Sequence, residues 1–121
     1  MTLVEFATLK HGPCTADPSA KTATEVLRES NLFSAAEMAA FEAREAEGLA
    51  KYGVVMREGW DHAETAALQE AMDLAVYCAA SPRLRHLLSD LEFIMHDIGE
   101  ALVLKEPEEA NHPILAPCRG A

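Results

Sequence analysis

Glu42-Ala43-Arg44-Glu45 and, 24 residues further on, Glu70-Ala71-Met72-Asp73 bracket the stretch that decides the fold. Each pair has i, i+3 spacing, which puts both carboxylates on one face of a helix. Between them runs Lys51-Tyr52-Gly53-Val54-Val55-Met56-Arg57-Glu58-Gly59-Trp60, with a glycine near each end where helices break. In an antiparallel hairpin, facing residues have position numbers with a constant sum. Glu42 with Asp73 and Glu45 with Glu70 satisfy one register, and its midpoint falls near residues 57 and 58, inside the expected turn. The spacing therefore predicts an αα-hairpin, residues 34–52 against 61–80, in which four carboxylates converge. Carboxylates at short range repel, and hard cations such as Mg²⁺ or Mn²⁺ relieve that repulsion through oxygen ligands. The competing reading is that they are solvated charges on an acidic surface.

Working outward, the helix that carries the first pair starts at a capping box, Ser34 with Glu37, flanked by Phe33 and Met38 at the positions of a hydrophobic staple. The second carries the same cap-and-acid spacing at Asp61 and Glu64, and Ser81-Pro82 ends it and caps the next. Leu84, Leu87, Leu88, Leu91, Ile94, Met95, Ile98 and Leu102 then form an apolar stripe at helical spacing, read as core packing. Upstream, Asp17-Pro18 predicts a shorter helix over 18–30 with Asn31 as its stop. Residues 3–9 read as a short strand or an extended arm, and His11 to Cys14 as a loop. The expected organisation is an N-terminal arm (1–17), a helical domain (18–105) and a proline-containing tail (106–121).

Composition agrees with an all-α helical bundle of three long helices and one shorter one. Half of the 121 residues are apolar and only 6% are aromatic. The formal net charge of −10 argues against nucleic acid or an anionic membrane as partner. No stretch is apolar and long enough for a membrane span, and the first residues lack the order of a signal peptide. Cys14, Cys78 and Cys118 are widely separated, which favours reduced thiols in a cytoplasmic protein over a disulfide framework. A rival transition-metal site would use His96 and Glu100 at i, i+4 with Asp97, His86 and His62; surface and capping roles for these histidines are the simpler reading.

The hairpin resembles the MazG-like all-α nucleoside triphosphate pyrophosphohydrolases, whose signature is ExxE, a spacer, then ExxD. Arg44 to Gly53, followed by Gln69-Glu70-Ala-Met-Asp73-Leu-Ala-Val-Tyr77, resembles the small members encoded by phages and prophages. The likeness covers roughly residues 38 to 80. It implies that Glu42, Glu45, Glu70 and Asp73 are metal ligands and catalytic residues, with Mg²⁺ or Mn²⁺ as cofactor. It also implies cleavage of a nucleoside triphosphate between the α and β phosphates, giving a monophosphate and pyrophosphate. There the cation neutralises the phosphates and acidifies the attacking water, while one carboxylate accepts the proton. Lys51, Tyr52 and Arg57, in or near the turn, are the candidate substrate contacts; Trp60 reads as core. Two positions depart from the family: Phe41 and Gln69 stand where many members have further glutamates. A catalytically silent relative that binds a nucleotide or a host protein is therefore the alternative reading. A homo-oligomer is expected, because a carboxylate-lined hairpin leaves little apolar surface to close a core, the last helix offers its stripe to a neighbour, and the resembling family tends to oligomerise.

Overall fold

The computed structural model describes residues 1–105, with side chains through Val103; the expected tail lies outside the described residues. Among them the chain is all-α: α1 (Leu3–Thr8), α2 (Ala23–Glu29), α3 (Ala35–Tyr52), α4 (Ala63–Ala80) and α5 (Leu88–Lys105), with a 3₁₀ turn at Arg85–Leu87. The helices belong to two compact units. One holds residues 1–10 and the chain from 64 onward; the other is residues 11–63. No helix is long and apolar enough to cross a membrane.

In the first unit, residues 3–8 are helical, not the strand or extended arm expected over 3–9. Thr2 and Glu5 form a reciprocal capping box: the Thr2 hydroxyl accepts from the Glu5 amide at 3.1 Å, and the Glu5 carboxylate accepts from the Thr2 amide at 2.8 Å. Two of the donors that a short helix leaves open are thereby satisfied. At the other end, the Gln69 side-chain amide donates to the carbonyls of Phe6 (3.0 Å) and Leu9 (2.9 Å), tying the end of α1 to α4. Phe6 then packs with Leu68 and Leu102, and Met72 and Ile98 close around them. Leu68 and Cys78 are completely buried.

Both contacts of Gln69 are to carbonyl oxygens, so its nitrogen must face them and only a donor works there. Gln69→Glu would replace that donor by an acceptor. It is expected to destabilise the protein by about 1–2 kcal/mol, the cost of the lost hydrogen bonds, since the Phe6 carbonyl keeps the Leu9 amide as a donor. Thermal unfolding of the variant checks this.

The apolar stripe of α5 is only partly inward. Leu91 and Leu102 are buried and Leu87, Leu88, Met95 and Ile98 half-buried, whereas Leu84 and Ile94 are exposed. Ser81-Pro82 does end α4, as expected. It does not cap the next helix: the Ser81 carbonyl accepts from the Leu84 amide at 3.0 Å, and the chain enters α5 through the 3₁₀ turn, whose start has no side-chain cap.

In the second unit, α2 starts five residues later than Asp17-Pro18 predicts. The Asp17 carboxylate instead closes a turn on the amide and hydroxyl of Ser19, at 2.9 and 2.8 Å. Thr22 and Glu25 supply the capping box that starts the helix. After Ser30 the backbone turns at Asn31, which takes the left-handed conformation (φ 57°) that asparagine tolerates. Ser34 and Glu37 cap α3 as expected. Phe33 meets Phe41 edge to face, ring centroids 5.0 Å apart, so this apolar clasp reaches beyond Met38. Helix α3 ends on Gly53 in the left-handed region (φ 78°), where a side chain would be strained.

The segment after Gly53 is more than a turn. It runs antiparallel to the start of α2: the Ala23 amide donates to the Met56 carbonyl and the Glu58 amide to the Lys21 carbonyl, both at 2.9 Å. The Arg57 guanidinium donates to the Ala20 carbonyl at 2.8 Å. Trp60 follows and is buried, in line with its reading as core. Helix α4 begins at Ala63, one residue later than an Asp61 cap would place it.

The capping carboxylates give the fold a defined response to acid. Backbone and side-chain hydrogen bonds from Thr2, Thr22 and Ser34 hold Glu5, Glu25 and Glu37 below the ordinary value of 4.5. A carboxylate whose folded pKa is lowered stabilises fully above its unfolded value and loses that contribution as pH falls through the folded one. Stability is therefore expected to be flat above pH 4.5 with respect to these groups and to decline below it. Ser34→Ala should blunt the decline, which melting curves across that range would reveal.

Candidate functional site

The first acidic pair lies on α3, and α2 supplies its partners. Thr24, buried, donates its hydroxyl to Glu45 Oε2 at 2.7 Å, and Glu45 is half-buried on the side of α3 that packs against α2. Arg28, one helical turn after Thr24, forms an ion pair with Glu42 Oε1. Both members of that pair are about half exposed, at 55% and 51%, so it contributes little to stability and opens readily. The i, i+4 spacing of Thr24 and Arg28 in α2 matches the i, i+3 spacing of Glu42 and Glu45, so each carboxylate has its own donor.

Glu70 and Asp73 lie on α4, both exposed. The inward face of α4 carries Thr65, Leu68, Ala71 and Cys78. Helical periodicity puts the two carboxylates on the opposite face, with Leu74 and Tyr77. Each acidic pair thus holds together on its own helix, as the spacing predicts. The α3 pair belongs to the second unit and the α4 pair to the first.

Among the expected substrate contacts, Lys51 and Tyr52 come together at the C-terminal end of α3. The Lys51 ammonium lies 5.2 Å from the centre of the Tyr52 ring, and both side chains are exposed. A lysine in the last turn also complements the negative end of the helix dipole. Arg57 has a different setting. One arm of its guanidinium anchors the Val54–Glu58 segment to the Ala20 carbonyl, and its charge acts on Asp17 and Glu25.

The positions that depart from the family signature are both engaged in structure: Phe41 packs on Phe33, and Gln69 holds the end of α1. Of the histidines, His96 Nε2 and Glu100 Oε1 lie 3.9 Å apart on the surface of α5. His62 belongs to the other unit, where it stacks on His11 with ring centroids 5.7 Å apart. Trp60 meets the His11 ring edge to face at 5.2 Å. Parallel rings aim their in-plane lone pairs past one another, so His11 and His62 do not converge on a shared cation. Within either unit, among the described residues, no three His, Cys, Asp or Glu side chains are grouped closely enough to hold a metal by themselves.

Sequence reasoning missed Thr24, Arg28 and the His11–Trp60–His62 ring cluster. The first two had a signal: a polar pair at helical spacing on the predicted short helix. The ring cluster brings together residues some 50 positions apart and had none. No protein-family model, curated protein or solved structure matches this chain.

Proposed function

We propose that the chain is a metal-dependent hydrolase of nucleoside triphosphates that releases a monophosphate and pyrophosphate, built on a MazG-like helix hairpin. The observation that carries this reading is the anchoring of the first acidic pair. A buried hydroxyl fixes Glu45, and an exposed, easily opened ion pair holds Glu42. The buried Thr24 hydroxyl needs an acceptor, and by supplying it the Glu45 carboxylate is held in one position instead of being free in solvent.

The donor set suits a hard divalent cation, Mg²⁺ or Mn²⁺: four carboxylates from two consecutive helices, with no sulfur or imidazole among them. Glu42, Glu45, Glu70 and Asp73 are the residues that would hold the cation. Thr24 engages one oxygen of Glu45 and Arg28 pairs with Glu42, so these two carboxylates would come to a cation from existing partners. When bound, the cation would supply positive charge to the triphosphate, which a chain of net charge −10 otherwise repels. One of these carboxylates would accept the proton of the attacking water. Lys51 contacts phosphate and Tyr52 offers a ring face to the base. Release of pyrophosphate from a panel of nucleoside triphosphates, with Mg²⁺ and with Mn²⁺, tests the reading; no release from any member overturns it.

A second reading is favoured by Phe41 and Gln69, which use two positions of the family's acidic signature for packing and for holding α1. On that reading the chain keeps the scaffold and binds a nucleotide or a host protein without hydrolysing it. Either version is expected to form a homo-oligomer, to which Val76, Tyr77 and Phe93, each at least two-thirds exposed, would offer apolar contact area. A mass of 13.1 kDa by light scattering at micromolar concentrations would contradict the oligomer.

A further inference from the structure

The outward face of α4 changes character along its length. Glu70 and Asp73 come first, both exposed, then Val76 and Tyr77, which are 67% and 69% exposed. Beyond Ala80 the chain turns through Arg83, Leu84, Arg85 and His86, all exposed. Arg83 and Arg85 are the only lysine or arginine residues between Arg57 and Lys105, a stretch that holds nine aspartates and glutamates. The positive charge of this half of the chain is therefore gathered at one turn. That turn is held in place: the Leu84 amide donates to the Ser81 carbonyl at 3.0 Å, and Arg85 Nε donates to the Ala79 carbonyl at 3.3 Å. Acid, apolar and base follow one another along a single exposed face.

The two charged ends are unmatched within the chain. In this unit, among the described residues, no side-chain hydrogen bond or ion pair engages Glu70, Asp73 or Arg83. Asp73 stands about 10 Å of helix before the end of α4 and Glu70 about 15 Å, too far to pair with the turn of their own chain. A second copy lying antiparallel brings them together. We infer that this face is a two-fold interface between copies of the chain, with the axis at the level of residue 78. Asp73 then faces Arg83 of the partner subunit, and Glu70 faces His86 of the partner subunit. Val76 and Tyr77 of the two copies cover one another in the middle. A two-fold interface needs a surface complementary to itself, and acid–apolar–base order along a helix is such a surface. A foreign helix would have to carry the same order in reverse, whereas a second copy has it already. The interface gives the expected homo-oligomer a place and a register, and it stands whether or not the chain hydrolyses a nucleotide.

Charge reversal tests it, without divalent cations, so that ligation by Glu70 or Asp73 does not enter. Light scattering on the full chain at micromolar concentration should give twice 13.1 kDa for the wild type. Asp73→Arg and Arg83→Asp each set like charges against one another at two places in the dimer. Each should raise its dissociation constant at least about tenfold. General repulsion predicts the opposite for Asp73→Arg, which brings the net charge of −10 closer to zero. An equimolar mixture of the two variants should recover the dimer, because one brings only bases to the pairing positions and the other only acids. Glu92→Arg, the same charge change on α5, should leave the mass unchanged. A wild type of 13.1 kDa, single variants that keep the wild-type mass, a mixture that stays monomeric, or an equal loss with Glu92→Arg would each overturn the interface. If a single variant fails to fold by circular dichroism, Tyr77→Asp decides alone: dissociation is expected, and an undiminished dimer overturns the proposal.

Discussion

Leu68→Ala is expected to destabilise the protein by about 2–5 kcal/mol, the range for removing a fully buried leucine and leaving a cavity. Leu68 has no exposed surface and sits at the meeting point of Phe6 from α1 and Leu102 from α5, so its loss removes packing from three helices at once. The walls cannot close in easily. Gln69 pins α1 next to the cavity through two backbone carbonyls, and the three helices keep their spacing. Because a small domain has only about 5–15 kcal/mol in total, this one change should remove a large share of its stability. Val76→Ala, on the same helix but 67% exposed, should cost less than about 0.5 kcal/mol. Denaturant unfolding of both variants separates them. Similar midpoints would mean that α4 presents its other face to the core.

What was legible in the sequence was local. The Ser34–Glu37 box, the stop at Gly53, the turn at Asn31 and the end of α4 before Ser81-Pro82 each depend on a few adjacent residues whose backbone preferences are strong. Two local signals were missed for a shared reason. Thr2–Glu5 and Thr22–Glu25 are capping boxes of the same kind as Ser34–Glu37, but helices of six and seven residues are too short to show periodicity behind them. Asp17-Pro18 therefore looked like the stronger start, although its carboxylate is satisfied more cheaply in a turn with Ser19.

Contacts made over long sequence separations were not legible. Nothing near Arg57 indicates that it will reach the Ala20 carbonyl, or that residues after Gly53 will pair with the start of α2. Gln69 illustrates the gap most clearly. As a letter in a motif it is a missing carboxylate; in the fold it is a double donor that a carboxylate could not replace. Of the candidate site, the two helical pairs were readable from spacing alone. Their donors Thr24 and Arg28 required knowing where α2 packs.

Glu70→Gln is expected to have the largest functional effect. It keeps size and helix propensity, so the fold survives, while one ligand charge disappears. Losing a charged ligand should weaken cation binding on the order of 100-fold and lower the rate in proportion when the cation is limiting. On the proposed assignment, Glu45→Gln should behave alike. At a cation concentration of about 100 times its dissociation constant, the wild type should gain about 2.7 kcal/mol, and Glu70→Gln only a small part of that.

The most direct measurement is therefore pyrophosphate release by the wild type and Glu70→Gln over a Mn²⁺ titration, with thermal unfolding followed in the same samples. The account predicts release by the wild type that rises with its thermal stabilisation, and a Glu70→Gln curve displaced on the order of 100-fold to higher Mn²⁺ in both readouts. Identical Mn²⁺ responses in the two proteins would contradict it, because a cation that ignores Glu70 is not held by these four carboxylates.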